Sequence, residues 1–317
     1  MVMEADQGGS SGLSALLGRF FSRRSSRRRE QESARQWFLL FGRQAINPCQ
    51  PPEFNALTPF YPPADRFWAD PFLWSEKGRW HVFFEEYPYQ VARGHISAME
   101  IDPERLEAGP VQRVLEAPHH LSYPYLFSLE GELYMVPEQK AARRVDLFRC
   151  TQYPNRFEWV RTLFRGVRMV DVTIFPHEGR WWLFASEKRA GFRYDESLFA
   201  YSTDHPVTGT WVPHAGNPLI RDYESARPGG RVFRHSDGSL LRPSQVCRPH
   251  YGAGLNLNRI ETLSMATFRE SRLWRCSGEA AGGWRGMHHL DVREDYLVMD
   301  AEREHPHACC PKGQVGQ

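Results

Sequence analysis

The sequence repeats one pattern of strand, turn and strand at intervals of 48 to 59 residues. The clearest copies are "DPFLWSEKGRWHVFFEE", "YPYLFSLEGELYMVPE" and "DVTIFPHEGRWWLFASE", and two weaker copies follow them. The turn residues of the five copies are Gly78, Gly131, Gly179, Gly238 and Asp295. Such an interval is too long for one hairpin and matches one four-stranded antiparallel blade. The repeat therefore predicts an all-β fold, a five-bladed β-propeller.

The boundaries of the propeller follow from the repeat and from one strand-like segment before it. The segment "RQWFLLFGR", residues 35–43, has the composition of a strand but no repeat of its own. We expect it to supply the outer strand of the last blade and so to close the ring. The predicted domains are then a disordered basic arm over residues 1–33, the propeller over 34–303, and a disordered tail over 304–317.

Charge is unevenly distributed along the chain. Residues 1–30 hold six Arg and three acidic residues, whereas the rest of the chain holds 34 basic and 35 acidic residues. Because a neutral body has no field that would attract a nucleic acid, we expect no nucleic-acid partner there. The segment "GRFFSRRSSRRRE" could bind a nucleic acid or an anionic membrane, but short basic tails are more often only disordered and solvated.

The chain lacks the usual signals for membrane insertion or secretion. No apolar run approaches the roughly 18 to 20 residues that span a bilayer, so no transmembrane segment is expected. The Arg cluster follows the apolar patch "LSALLGRFF" instead of preceding a longer one, which is the reverse of a secretory signal. These features predict a cytoplasmic protein.

The cysteines agree with that location. The six Cys are widely spread and form no CxxC pair, so neither a disulfide framework nor a zinc site is indicated. Cys309 and Cys310, with His305 and His307, form a metal-like cluster in the polar tail. We interpret this cluster as fortuitous and expect no metal site.

Three of the repeats place a side chain at the mouth of the predicted ring. In propellers of this kind the innermost strand of each blade begins near the mouth of the central channel. Asp70, Tyr123 and Asp171 open the inner strands of the first three units, so we expect them to meet at one end of the axis. Carboxylates there suit sugar binding or acid/base chemistry. Alternatively, each Asp only accepts backbone N–H bonds in a turn.

Segments spread over residues 35–303 resemble a known family in order along the chain. They are "FWADPFL", "FFEE", "HLSYPYLF", "PEQ", "VDVTIF", "RWWLF", "NPL", "SARPGGRVF", "LRPSQ" and "YGAGLNLNRI". The chain thereby resembles the N-terminal β-propeller domain of glucosamine inositolphosphorylceramide transferases and its bacterial stand-alone relatives. More distantly, it is similar to the five-bladed propellers of glycoside hydrolase families 43 and 32.

The resemblance to these hydrolases implies roles for individual residues. Their pockets carry two Asp and one Glu, which perform hydrolysis. By this resemblance Asp70 is the catalytic base or nucleophile, and Asp171 is the Asp that tunes or stabilises the site. The resemblance also implies a general acid Glu, for which the sequence offers no clear match.

Four glutamates are candidates for that third role. Glu224 lies six residues before the aligned opening of the fourth unit, and we interpret it as a solvated loop residue. Glu85, Glu86 and Glu138 lie at the ends of the second strands of their units. They would enter the pocket if those strands turn at the channel rim, and would otherwise cap the blades or pair with Arg227 and Arg242.

Further residues near the predicted mouth are candidates for substrate binding. Aromatic rings stack on sugar faces, and Arg forks bind anionic groups such as phosphate. Adjacent residues of a strand point to opposite faces, so only one of His119 and His120 can face the pocket. The substrate-binding candidates are His120, Tyr123, Arg227, Arg242, Tyr251, Glu85 and Glu138.

Two functions fit these residues. The first is a glycoside hydrolase or transglycosylase that acts on a glycan or glycoconjugate in the axial pocket. The second is a non-catalytic sugar-recognition domain that works with a glycosyltransferase partner. No cofactor is expected for either function. A calcium ion occupies the channel of some related hydrolases, but this sequence does not indicate one.

Overall fold

The computed structural model describes residues 35–305. Within the described residues, Trp37–Arg303 forms one compact unit. The predicted arm over residues 1–33 lies outside the described residues, as does the predicted tail from residue 306 onwards. Within residues 35–305 every helix is too short to cross a bilayer.

Five antiparallel sheets make up the described chain, and each is one blade of a β-propeller. Blades one to three follow the chain order of the first three repeats. Blade one contains β3 (Arg66–Glu76), β4 (Arg79–Pro88), β5 (His95–Asp102), β6 (Glu107–Ala108) and β7 (Gln112–Leu115). Blade two contains β8 (Ser122–Leu129), β9 (Glu132–Glu138), β10 (Arg144–Gln152) and β11 (Arg156–Arg165). Blade three contains β12 (Met169–His177), β13 (Arg180–Glu187), β14 (Ser197–Thr203), β15 (Val212–Pro213) and β16 (Ile220–Arg221).

The last two blades complete the ring. Blade four contains β17 (Phe233–Arg234), β18 (Leu240–Val246), β19 (Gly254–Leu263) and β20 (Phe268–Ser277). Blade five contains β21 (Leu290–Arg293) and β22 (Tyr296–Glu304) with two strands from the start of the described chain, β1 (Arg35–Arg43) and β2 (Thr58–Phe60). In blades one and three, two short segments share the outer-strand position. The predicted five-bladed, four-stranded architecture is therefore confirmed.

Short helices occupy a few of the connections. Among residues 35–305 these are three 3-10 turns, Phe54–Ala56, Lys140–Ala142 and Tyr194–Glu196, and helix α1, Gly278–Gly282. The second turn follows β9 and the third lies between β13 and β14, so both lie after second strands of the repeat, at the same end of their blades as the predicted site.

The ring is closed by β1, as predicted, but β1 is not the outer strand. The order within blade five is β2-β1-β22-β21, so β1 is the third strand counted from the axis. The chain returns after β1, and Thr58–Phe60 pairs antiparallel with its outer edge. A three-residue strand containing Pro59 carries too little pattern to be predicted, and Pro is tolerated there because the strand is an edge strand.

Blade four has the weakest inner strand, in agreement with its weak repeat. At this position Phe233–Arg234 forms a two-residue strand against β18, and Pro228 adds an isolated antiparallel bridge to Ser244. Gly230, eight residues before the turn, has a φ of 135° and lies against the backbone of Leu290, where a Cβ atom would collide. A close approach of two backbones therefore replaces regular strand pairing at the opening of this blade.

Aromatic and aliphatic side chains fill the spaces between the blades. Phe72, Phe83 and Tyr125 belong to a cluster that joins blades one to three. Leu39 and Phe41 of β1 belong to another, which joins blade five to blade one. The apolar runs of the sequence are nearly continuous because both faces of these strands are buried.

Candidate active site

Three β-bulges direct side chains towards one end of the ring axis. In each of the first three blades, the register between the two inner strands shifts once, near the residue that opens the repeat. These residues are Asp70, Tyr123 and Asp171, with φ values of 52°, 44° and 54°. Residues other than Gly seldom occupy this left-handed region, and such strain concentrates at functional sites. The recurrence of one strained conformation in three blades therefore marks the site.

A small pocket lies at these bulges, with a volume of about 110 Å³. Its walls come from every blade, including β1. Seven of the nine residues predicted for the site line it, namely Asp70, Glu85, His120, Glu138, Asp171, Arg227 and Tyr251. The remaining walls include Trp37, Phe67, Lys140 and His288.

Asp70 is buried and held by polar groups of two other blades. Its Oδ2 accepts the backbone N–H of Tyr123 at 3.2 Å, and its Oδ1 lies 3.2 Å from Nε2 of His288. Burial alone would raise the pKa of Asp70, but the hydrogen bond and the charge of His288 outweigh burial and lower the pKa to about 2. Asp70 is therefore ionised at neutral pH.

Asp171 lies in a different environment. Its Oδ2 accepts a hydrogen bond from Nε of Arg227 at 2.5 Å and another from Nε2 of Gln245 at 3.1 Å. Burial raises the pKa of Asp171 to about 7, although the charge of Arg227 acts in the opposite direction. The Arg227 guanidinium also donates to Asp195 at 2.8 Å and lies 4.8 Å from the ring centroid of Tyr251. The Arg227 guanidinium thus connects the Asp171 carboxylate to the ring of Tyr251 in the pocket wall.

Glu85 is a third buried carboxyl group in the pocket. It lies on β4, opposite Ala69 of the inner strand, with Oε1 at 3.3 Å from Nε2 of His120. Burial raises the pKa of Glu85 well above its usual range, and the negative charges of Asp70 and Glu138 raise it further. The pKa values of Glu85 and Asp70, two buried carboxyl groups of one pocket, are thus driven in opposite directions.

Glu138 occupies the corresponding position in blade two. Its Oε1 lies 3.0 Å from Nζ of Lys140, the first residue of the turn Lys140–Ala142 that follows β9. Neither Glu85 nor Glu138 pairs with Arg227 or Arg242, because those two Arg bind Asp171 and Glu270 respectively. The alternative in which second-strand glutamates enter the pocket is the arrangement seen in the structure.

Two predicted site residues lie behind the pocket walls. The Tyr123 ring is fully buried, and its hydroxyl shares a hydrogen bond with that of Thr173 at 2.8 Å. Arg242 is 1% exposed and binds the Glu270 carboxylate through two nitrogens. The expectation that these two side chains bind substrate is corrected, because each is buried and bonds to another residue of the fold.

His119 and Glu224 lie outside the pocket. Only His120 of the adjacent histidines lines it, whereas His119 pairs with the Gln139 side chain at 2.9 Å. Glu224 is exposed and binds Arg275 at 2.7 Å, as expected for a loop residue.

Sequence reasoning missed the pocket residues supplied by blade five and by its closing strand. His288 lies one residue after the position where the fifth repeat opens, so the repeat alignment carries a signal for it. Trp37 lies in β1, which has no repeat of its own. Its ring stacks edge-on against His288, with centroids 4.3 Å apart.

One group of buried ligand-type side chains also occurs at this site. Atoms of Asp70, His288 and Asp300 lie within 4.8 Å of one another. Direct contacts among these groups account for their proximity, so we interpret the group as a polar network. The cluster of Cys309, Cys310 and His307 lies outside the described residues.

The protonation of His288 leads to a prediction for stability. Burial would lower the pKa of His288, but the carboxylates of Asp300 and Asp70 outweigh burial and raise the pKa to about 10. Since this pKa exceeds the ordinary 6.5, the charged ring stabilises the fold fully below pH 6.5, and that contribution is lost as pH rises towards 10. We expect the melting temperature to fall over this range, and to fall less in His288→Asn. Thermal denaturation at closely spaced pH values measures both slopes, and equal slopes would contradict the prediction.

The chain is similar to known proteins over most of its length. Residues 58–299 match the family described as "Glucosamine inositolphosphorylceramide transferase 1, N-terminal". The chain is 33% identical over 236 residues to glucosamine inositolphosphorylceramide transferase 1 of Arabidopsis thaliana, covering 72% of this chain and 30% of the relative. It is 32% identical over 279 residues to the protein of that name from Oryza sativa subsp. japonica, covering 83% and 37%. The chain thus spans about a third of the length of these curated relatives.

Solved structures show the same fold at low sequence identity. The catalytic domain of a Coprinopsis cinerea GH62 α-L-arabinofuranosidase aligns with a TM-score of 0.56 and 12% identity, covering 74% of this chain and 90% of that one. An α-L-arabinofuranosidase of Podospora anserina, in complex with cellotriose, aligns with a TM-score of 0.56 and 11% identity, covering 86% and 98%. At this identity the likeness concerns the fold alone.

Proposed function

The chain belongs to the family of glucosamine inositolphosphorylceramide transferase 1 N-terminal domains, and from this membership we propose that its axial pocket cleaves or transfers a glycosidic bond. The substrate class is a glycan or glycoconjugate. Because the relatives are named for a glucosamine-containing glycolipid, such compounds are the first to test.

One observation carries this proposal: two carboxyl groups of the same pocket occupy opposite environments. Asp70 lies beside a charged imidazole, which lowers its pKa, whereas burial and the charges of neighbouring carboxylates raise the pKa of Glu85. Pairs of titratable groups whose surroundings drive their pKa values apart supply the base and the acid of a reaction. Glycoside cleavage requires such a pair.

The roles follow from the contacts. Glu85 gives its proton to the glycosidic oxygen as the bond from that oxygen to the anomeric carbon breaks. Asp70 either takes a proton from the attacking water or attacks the anomeric carbon itself. Asp171, held by Arg227, stabilises the positive charge that develops on the sugar. Trp37 and Tyr251 provide aromatic faces for a sugar ring.

A second function is supported by a different observation. The chain covers about a third of relatives that are named as transferases, so a sugar-recognition role beside a glycosyltransferase partner also fits the family. In that role Arg227, Lys140 and the ring of Tyr251, which is 43% exposed, would bind a glycan or its phosphate without chemistry. The cytoplasmic location stays a prediction of the sequence.

The test is a panel of aryl glycosides, polysaccharides and glucosamine-containing glycolipids, followed by binding to a glycan array. Turnover by the wild type that is lost in Asp70→Asn supports the hydrolase or transglycosylase. Array binding without turnover, lost when Tyr251 is replaced by Ala, would support the recognition domain and overturn the first proposal.

The acid role of Glu85 leads to a separate prediction. In Glu85→Gln no proton is available for the leaving group, so the rate should fall about 10²–10⁴-fold for poor leaving groups. The loss should be much smaller for dinitrophenyl glycosides, because their leaving group needs no protonation. Initial rates over a series of aryl glycosides measure this dependence.

The neighbouring residue provides a matched control. Glu86 points to the opposite face of β4 and binds Arg66, His95 and Ser97. We expect Glu86→Gln to leave the leaving-group dependence unchanged. A uniform loss over all leaving groups in Glu85→Gln would show that Glu85 does not act as the acid.

A further inference from the structure

Blade five contributes two buried polar residues whose contacts are directed at Asp70. His288 lies before β21 and Asp300 lies on β22, and they are 3% and 0% exposed. A buried charge is costly unless it is paired and hydrogen-bonded. The polar contacts of these two side chains are with the backbone or side chains of Asp70, His288, His289 and Asp300.

Asp300 holds two backbone segments at once. Its Oδ1 accepts the N–H groups of His288 and His289, each at 3.0 Å. Its Oδ2 accepts the N–H of Asp70, also at 3.0 Å. Hydrogen bonds from N–H groups to an ionised carboxylate are among the stronger ones in proteins. One carboxylate therefore ties the strained backbone of Asp70 to the segment that carries His288.

The imidazole of His288 completes the connection. Its Nδ1 lies 3.0 Å from Oδ1 of Asp300, and its Nε2 lies 3.2 Å from Oδ1 of Asp70. The ring is packed between Trp37 and Tyr251, with centroid separations of 4.3 and 5.2 Å. The packing of two aromatic rings restricts the imidazole to an orientation in which it bridges the two carboxylates.

We propose that Asp300 and His288 are positioning residues that hold the Asp70 carboxylate at the pocket and keep it ionised. This inference rests on the proposed function, in which Asp70 is the base or nucleophile. Neither residue needs to touch the substrate. The arrangement of Asp300, His288 and Asp70 resembles a catalytic triad, in which a buried carboxylate orients an imidazole that acts on a third group.

The electrostatic surroundings of Asp70 show why the imidazolium is needed. Negative or potentially negative groups face it from four blades, and cationic or titratable groups face it from three. The acidic groups are Glu85 on its own blade, Glu138 from blade two, Asp171 from blade three and Asp300 from blade five, and the cationic or titratable ones are His120 and Lys140 from blade two, Arg227 from blade four, and His288 and His289 from blade five. Without the His288 charge, burial would raise the pKa of Asp70 against the remaining charges of His289 and Arg227.

The test is a direct titration of Asp70 by ¹³C NMR of protein labelled at aspartate carboxyl groups. The resonance is assigned by its loss in Asp70→Asn. In the wild type we expect Asp70 to stay ionised down to the lowest pH at which the protein is folded. In His288→Asn we expect its midpoint to rise by about 1–3 units, the usual effect of one opposite charge. A midpoint that stays at the wild-type value would overturn the inference.

A matched substitution controls for loss of a buried imidazole. His81 is equally buried but pairs with the Tyr153 hydroxyl at 2.9 Å, so His81→Asn should leave the Asp70 midpoint unchanged. If His288→Asn does not fold, Asp300→Asn is the second variant. It removes the carboxylate that faces Nδ1 of His288, so we expect the titration midpoint of the His288 imidazole, followed by ¹⁵N NMR, to fall, whereas an unchanged midpoint would overturn the inference.

The titration needs no turnover. A wild type that is inactive on every glycoside would count against the proposed function, while the Asp70 midpoint would still decide the role of His288 and Asp300. Where turnover is found, the acidic limb of the kcat/KM profile should move to higher pH in His288→Asn. A merely structural role would lower stability without moving that limb.

Discussion

Asp70→Asn is expected to lower kcat/KM on the best glycoside by about 10²–10⁴-fold, the usual contribution of a general base. The loss arises because an amide neither accepts the proton of water nor attacks the anomeric carbon. The backbone should survive the change, since Asn is one of the residues that tolerate the left-handed region at a φ of 52°. Steady-state kinetics together with thermal denaturation measures both effects.

Asp65 provides the control for this variant. Its exposed carboxylate binds Arg66 five residues before the bulge, outside the pocket walls. Asp65→Asn should keep the wild-type kcat/KM. Full activity in folded Asp70→Asn would remove Asp70 from the reaction and with it the proposed function.

The second large effect concerns stability. Removing the chain through residue 43 should abolish cooperative unfolding, because β1 supplies the third strand of blade five. The lost strand buries Phe38, Leu39, Leu40 and Phe41. At about 1.5–3 kcal/mol for each side chain, the loss is roughly 6–12 kcal/mol. That is comparable with the whole folding free energy of an ordinary domain, about 5–15 kcal/mol.

The comparison for this truncation is a chain that starts at residue 35 and so keeps β1. We expect this chain to melt at the same temperature as the full chain, whereas the chain that starts at residue 44 should show no cooperative transition. The edge of β22 would also be open to pairing with other molecules, so aggregation is expected. A cooperative melt of the shorter chain within a few degrees of the longer one would contradict the closure by β1.

Much of the fold could be predicted because blade formation depends on local patterns. The turn residues Gly78, Gly131 and Gly179 lie between paired strands, as the repeat indicated. The prediction was wrong about the rank of β1 in its sheet, since pairing with Thr58–Phe60 depends on how the intervening chain returns. A strand of three residues has too little period to be visible in a sequence.

The candidate site was harder to predict than the fold. Asp70 and Asp171 could be singled out because they recur at one position of the repeat. The raised pKa of Glu85 could not, because it depends on burial and on the charges of Asp70 and Glu138. Arg242, which lies beside "PSQ", was predicted to line the pocket. In the structure its guanidinium pairs instead with Glu270 on β20.

The sequence by itself determined the number of blades, the order of their strands along most of the chain, and the two aspartates at the blade openings. These follow from a period and from residue types, which are local properties. Only the tertiary structure decided which carboxyl group has a lowered pKa and which has a raised one, and that His288 and Asp300 reach Asp70 across more than 200 residues of chain. The physical reason is that protonation depends on burial and on the distances between charges, and both arise only when the first and last blades meet.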